Sequence, residues 1–439
     1  MGVRHRAAVV GAGSVGLFAA HLLAEREYDV VVVDPDPGPP AEGSWRRKGV
    51  MQFWHPHLYR TQVRGLLGEH APALLDALLA AGVEVVPPPP GAPGDVAALA
   101  GRRPVFEAAL RAAVLAHPRI THLLGTAAQV RTEHGRVTGL TTDQGDLDVE
   151  LVIGAGGRSS RLADELRPPV EGGSCGVSYV ARMYRAINGH RFDVAMPENG
   201  QTRDYQTIVF CQDDQTISVL FVRPSTDDSY NLLWQAPCFD AAAAAVPNTA
   251  RWVDPSRFAP ITDPMRGGTL TNTYRGQGDL PVGLVFVGDA VCTTNPSAGR
   301  GIALGMSGVV ELMRRLDLDG VSATLAPALD AWGEEHLRPW YLDHVETDAW
   351  VCRRYAGDER IDLDAPLPSG VMVNAALEDP SLLPLIGPYL LMVAPPSSLA
   401  RAEPLVKEKL RAGWVPPYAE GPTRGELIAV MEAAALQPA

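Results

Sequence analysis

The chain has 439 residues, a net charge of −13, and 46% apolar and 20% charged residues. This composition excludes a disordered chain, and its 43 glycines and 38 prolines follow no Gly-X-Y period, which excludes collagen. The acidic balance leaves no basic footprint for nucleic acid or anionic lipid.

The elements follow in chain order. Residues 7–10 are a short apolar run, expected as a buried parallel strand. Gly11-Ala12-Gly13-Ser14-Val15-Gly16 comes next, then an apolar-periodic segment to about Glu27. Residues 30–33 form a second buried strand that ends in Asp34, completing a βαβ unit. Residues 61–81 carry leucines on one helical face, and Pro104 opens a helix to about Ala116. Strand pieces are expected at 120–124, 129–132, 137–141 and 148–153, with His134-Gly135 as a hairpin turn.

Between about 170 and 280 the pattern changes to strands at 177–184, 206–211, 216–222 and 231–234, as in a mostly antiparallel sheet. Residues 284–287 return to a buried strand, and a helix is expected from Arg300 to about Leu316. Segments 321–355, 379–393, 398–411 and 424–436 read as helical. The division is therefore 1–169 and 281–318 for a nucleotide-binding domain, 170–280 for a substrate domain and 319–439 for a helical C-terminal region.

Three glycine-rich sites carry the chemistry. In the first, Gly11 permits a tight turn, Gly13 lets the backbone approach a pyrophosphate, and Gly16 lets helix and strand pack closely. Ser14 and Val15 begin the helix, whose free N–H groups suit phosphate, and Asp34 suits a ribose diol. This pattern predicts a dinucleotide without separating NAD from FAD. The second site is Gly154-Ala155-Gly156-Gly157, after another strand. The third runs from Gly288-Asp289 through Pro296 and Gly299-Arg300-Gly301-Ile302. Asp289 suits a sugar-alcohol hydroxyl, and the helix start near Gly301 suits the pyrimidine edge of a reduced flavin.

In this order the three sites resemble the FAD-dependent monooxygenases of the aromatic-hydroxylase class. The resemblance is closer to the polyketide- and terpenoid-tailoring branch that includes polyether epoxidases. Arg47-Lys48-Gly49-Val50-Met51-Gln52, followed by His55-Pro56-His57, is similar to that branch's segment near the flavin. Arg103-Pro104 is similar to the stretch whose arginine contacts FAD. The stretch from Trp332 to Trp350 and Ala394 to Leu399 resembles the branch's C-terminal region.

The resemblance implies an α/β fold of the glutathione-reductase type, with an interleaved antiparallel substrate domain and helical C-terminal region. It implies FAD as cofactor, with Arg47, Gln52, Arg103 and Val130 joining the glycine sites in holding it. It implies monooxygenation: reduced FAD takes up oxygen as a flavin hydroperoxide, which epoxidises or hydroxylates an apolar small molecule in natural-product tailoring. No side chain is assigned a catalytic role beyond the flavin. Where the larger family carries Ala-Asp-Gly, this chain has Ala155-Gly156-Gly157, so the electron source stays open between NADPH and a separate flavin reductase. A FAD-dependent dehydrogenase or reductase acting on a C–C bond, and a flavin-fold protein that binds an intermediate without turnover, are the alternatives.

Halogenases of this fold resemble a different pattern, with Trp-x-Trp and an early catalytic lysine. This chain has no Trp-x-Trp, and only Lys48 lies early among its three lysines. Met183, Phe210, Phe221 and Trp234 are the candidates for lining an apolar substrate cavity. His55 and His57 read as packing near the flavin, and Cys292 as a small buried hydrophobe. The five cysteines show no metal spacing, and neither a signal-peptide apolar stretch nor an 18-residue apolar run occurs. These features predict a cytoplasmic protein without a metal site or membrane span.

Overall fold

The computed structural model describes residues 5–42, 44–47, 49–50, 52–88 and 96–436. Its centre is a five-stranded parallel sheet in the order Leu284–Phe286, Leu151–Gly154, Arg6–Val10, Asp29–Asp34 and Ile120–Leu124. These strands are short and apolar because both faces are covered. Helices Ser14–Glu25, Arg103–Leu115 and Gly301–Asp319 supply buried residues to the same core, among them Leu17, Phe106 and Leu312. The fold is α/β and Rossmann-like, with antiparallel sheets and C-terminal helices attached.

Residues 127–148 form a three-stranded antiparallel meander. Its first turn has His134 and Gly135 both at positive φ, 49° and 75°, as a tight two-residue hairpin requires. The expected strand at 148–153 is two elements: Gly145–Asp148 closes the meander, and Leu151–Gly154 lies in the central sheet. A six-stranded antiparallel sheet lies between the fourth and fifth chain segments of the core. Its long strands are Val177–Ala186, Gln206–Gln212 and Thr216–Pro224. The expected strand at 231–234 is instead a 3-10 turn, Asp228–Trp234, begun by the Asp227 carboxylate accepting from the Ser229 N–H.

Alternation along these strands makes two apolar layers. Ile208, Phe210, Leu220 and Val222 face the nucleotide domain, while Val209, Val219 and Phe221 face outward. The outward layer is covered by helices Ala236–Ala245 and Arg424–Ala435, through Phe239, Leu427 and Met431. The final helix therefore covers the outward face of the antiparallel sheet. Its start carries a complete capping box between Thr423 and Glu426.

The expected helix at 61–81 breaks into Thr61–His70 and Pro72–Ala80, since Pro72 cannot donate the bond that would continue it. Pro339 divides 321–355 in the same way, giving Leu325–His336 and Arg338–Tyr355. Ser369–Glu378 is a helix that the sequence pattern left unmarked. Among the described residues, no helix is long and apolar enough to cross a membrane.

Candidate active site

A cavity of about 1780 Å³ runs from the first glycine turn, between the central and antiparallel sheets, to the C-terminal helices. That exceeds the ~300–1,000 Å³ typical of a pocket for one drug-sized ligand. The three glycine sites converge on it. Gly11 sits at φ +112°, and a Cβ there would lie 2.4 Å from the Ala155 carbonyl oxygen. The first turn and the middle motif therefore touch by backbone. A Cβ on Gly16 would lie 2.0 Å from the Gly11 carbonyl, so the helix starts directly against the turn. At Gly13 a Cβ would meet nothing, because that position faces the open cavity.

Helices Ser14–Glu25 and Gly301–Asp319 both begin at this cavity, and neither has a side-chain cap at its N-terminus. Their first N–H groups and positive dipole ends are thus left for a ligand. Two such termini fit a molecule with two separated electron-rich groups, such as the pyrophosphate and flavin ring of FAD. Asp289 faces the cavity beside the second terminus, 3.3 Å from where a Gly301 Cβ would stand. Its side chain is exposed and lines the cavity. The protein around the cavity raises its carboxyl by desolvation, while Arg103 and Arg158 act in the opposite direction.

Behind the first turn lies a buried chain of charges. Asp34 accepts from the Ala12 N–H at 2.6 Å and from Arg47 at 3.0 Å. Arg47 also pairs with Glu107 at 2.7 Å. Glu107 accepts from Arg103 Nε at 2.7 Å. Burial alone would raise the Glu107 carboxyl, but Arg103 and Arg47 together hold it below the ordinary value. Arg103 is thus tied back through Nε and borders the cavity, where a guanidinium fork matches phosphate geometry.

These residues fit FAD. Residues 6–92 match the family described as DAO, FAD dependent oxidoreductase. The chain carries a FAD-dependent oxidoreductase domain, and FAD is its cofactor. It is 26% identical over 355 residues to Protein Rv3254 of Mycobacterium tuberculosis, covering 69% of this chain and 70% of that protein. Its fold is similar to that of pqsL, a probable FAD-dependent monooxygenase from Pseudomonas aeruginosa. That likeness has a TM-score of 0.60 and 14% identity, and covers 81% of this chain and 99% of the other. It is also similar to the flavin-dependent brominase Bmp2, with a TM-score of 0.62 and 12% identity over 93% of this chain and 99% of that one. At these identities the structural likeness is one of fold.

Most of the cofactor positions expected from sequence line the cavity: Gly11, Gly13, Ser14, Val15 and Gly16; Asp34, Arg47, Gln52 and Arg103; Ala155 and Gly156; and Gly288, Asp289, Pro296, Gly299, Arg300, Gly301 and Ile302. Lys48 and Met51 lie outside the described residues. Two of the expected positions, Val130 and Gly154, are not among the lining residues. Val130 points into the meander and its packing, and Thr126, Ala127 and Ala128 at the start of that strand line the cavity instead. Gly154 is not among the lining residues. It is glycine because a Cβ would lie 2.4 Å from the Phe286 ring on the neighbouring strand.

Of the four substrate candidates, Phe210 lines the cavity and Met183, Phe221 and Trp234 do not. Phe221 is on the outward face of the same strand pair, and Trp234 packs on that outward layer under the Arg266 guanidinium. Met183 is buried on the central strand without reaching the cavity. His57 lines it and is held neutral, because burial lowers its pKa to about 3. His55 packs edge-on against Tyr179, and Cys292 is buried outside the lining.

The sequence reading missed Glu107 and the contribution of helix Arg338–Tyr355. On that helix His344 and Asp348 are buried on the same face as Trp340 and Tyr341. A histidine and an aspartate at i, i+4 within the apolar stripe were the available signal. Both line the cavity, with Trp350 and Val351 nearby.

Proposed function

We propose that this chain is a flavin-dependent monooxygenase that adds one oxygen atom to an apolar small molecule. The supporting observation is the continuity of the cavity. It leaves the uncapped terminus at Gly301 and passes directly into a chamber between Ile208, Phe210 and Val222 on the sheet and Val351, Val373 and Leu390 on the C-terminal side. Reduced FAD, when bound, supplies the chemistry that activates dioxygen.

The chain's own residues then hold, orient and shield. The glycine turn, Arg103 and Asp289 hold the dinucleotide. The N–H groups at Gly301 and Ile302 stabilise negative charge at the nearer edge of the ring. The apolar walls exclude water from the reacting centre. In this reading residues 1–169 and 281–318 bind FAD, 170–280 supply the sheet wall of the chamber, and 319–439 supply its opposite wall. The natural-product tailoring role, and epoxidation or hydroxylation as the outcome, belong to the same proposal.

The test is turnover of the FAD-loaded chain under isotopically labelled dioxygen with a panel of apolar alkenes and phenols. Label in the product supports the reading. A desaturated or reduced product without label overturns it in favour of a dehydrogenase. Anaerobic addition of NADPH beforehand identifies the electron source: bleaching of the flavin absorbance means direct reduction, and bleaching only after addition of a flavin reductase means a partner.

A further inference from the structure

We propose that the chamber selects an uncharged, hydroxyl-bearing apolar molecule, with Asp348 as the residue that accepts the hydroxyl and turns anionic substrates away. The inference rests on the chamber being the substrate site proposed above, and adds the charge and polarity of what enters it.

Asp348 is the one acid among the described residues that line this end. The other lining acids, Asp34, Asp36 and Asp289, belong to the cofactor end. Its carboxylate is locked in place. Oδ2 accepts from the Asn272 amide at 2.7 Å and Oδ1 from the Asn295 amide at 2.9 Å. The two asparagines are themselves fixed, since the Asn295 backbone N–H donates to Asn272 Oδ1 at 2.6 Å. Asn295 Oδ1 accepts from the Ser297 N–H at 3.1 Å and from its hydroxyl at 2.9 Å. Three distant segments thus present one carboxylate to the chamber. Each oxygen takes a single amide hydrogen and retains capacity to accept another.

Among the described residues, the two arginines that line this end are held in other contacts. Arg300 donates to Asp343 at 2.8 Å and to the Tyr389 hydroxyl at 2.7 Å. Arg60 donates to the carbonyls of Ala298 at 2.9 Å and Leu390 at 3.2 Å. His344, one turn from Asp348, is kept neutral by burial. An anionic ligand group placed against Asp348 would meet a like charge, whereas a hydroxyl there gains a charge-assisted hydrogen bond.

Burial raises the Asp348 carboxyl to about 6, with the two amides and Arg300 opposing and Asp343 reinforcing. Nearby Cys175, Cys352 and Tyr355 are raised by burial as well and stay uncharged. The carboxyl is ionised above that value and neutral below it, so discrimination is present near neutral pH and lost in acid.

The test uses the FAD-loaded full chain titrated with 1-decanol, its methyl ether and decyl sulfate, followed by tryptophan fluorescence and the flavin difference spectrum. Near pH 8 the alcohol is expected to bind about tenfold or more tightly than either analogue. Near pH 5, where decyl sulfate is still an anion, its disadvantage shrinks to about threefold or less. Asp348→Asn, checked for FAD retention, shows the small ratio at both pH values, and the wild-type pH comparison stands if that variant does not fold. Equal binding of alcohol and sulfate near pH 8, a ratio indifferent to pH, or no binding of any of the three overturns the proposal. Selective binding by a protein that incorporates no labelled oxygen overturns monooxygenation alone.

Discussion

At the first glycine turn the close contacts are between backbone atoms, whereas around Asp348 they are between side chains brought together from distant segments. Gly11, Gly16 and Ala155 meet by carbonyl and Cα, at separations that admit no Cβ. Asp348, Asn272 and Asn295 meet by carboxylate and amide. A backbone contact leaves its mark locally, as a glycine at a fixed interval. These side-chain contacts leave none, because the partners are 23 to 76 positions apart.

The largest expected effect on flavin content breaks the backbone side of this comparison. Gly16→Ala puts a methyl group 2.0 Å from the Gly11 carbonyl oxygen, which must move together with the turn it belongs to. The expected outcome is protein purified with little or no flavin and destabilised by roughly 3 kcal/mol. Flavin absorbance per chain and the denaturant midpoint check both. Full FAD occupancy would mean that the turn yields more easily than the close contact implies.

The second prediction uses strand alternation in the antiparallel sheet. Phe221 is fully buried in the outward layer, packed edge-on against Phe239 at 5.4 Å between ring centroids. Phe221→Ala should cost about 3–5 kcal/mol and leave the ligand preference of the chamber unchanged. Phe210→Ala, on the other face, should cost less stability and weaken the binding of apolar ligands. Denaturation curves and decanol titrations of the two variants give the comparison. A reversal of the two profiles would mean that the chamber lies on the opposite face of the sheet.

Legibility follows the same physical division. The βαβ unit, Asp34 and the helix after Gly301 were readable because each has a local signature: an apolar run, a glycine interval, a strand-ending acid. Phe210 and Phe221 were not separable, since two aromatic residues on paired strands take opposite faces only once the register is known. The segment 231–234 read as a strand from its apolar residues, yet Asp227 caps a 3-10 turn there. Glu107 lies four residues after Arg103 on one helix, and that spacing was a sign of a pair. Its second bond, to Arg47, crosses 60 positions and had no local trace.

That buried pair provides the smallest and most discriminating prediction. Arg103→Ala removes the fork expected to meet the FAD pyrophosphate, and FAD should be retained about 10–100-fold less tightly, with Arg103→Lys in between. It also leaves Glu107 with Arg47 as its remaining cationic partner. In the wild type the Glu107 carboxyl is held below its ordinary value of 4.5 by the two arginines. A carboxyl lowered on folding contributes stability above its unfolded value and loses it as pH falls through the folded value. The stability gap between wild type and Arg103→Ala should therefore be widest near neutral pH and narrow below about pH 4.5, as measured by denaturation of the FAD-free proteins. A gap that stays constant through that range would place Arg103 away from Glu107, and the cofactor end would then owe its charge order to Arg47 alone.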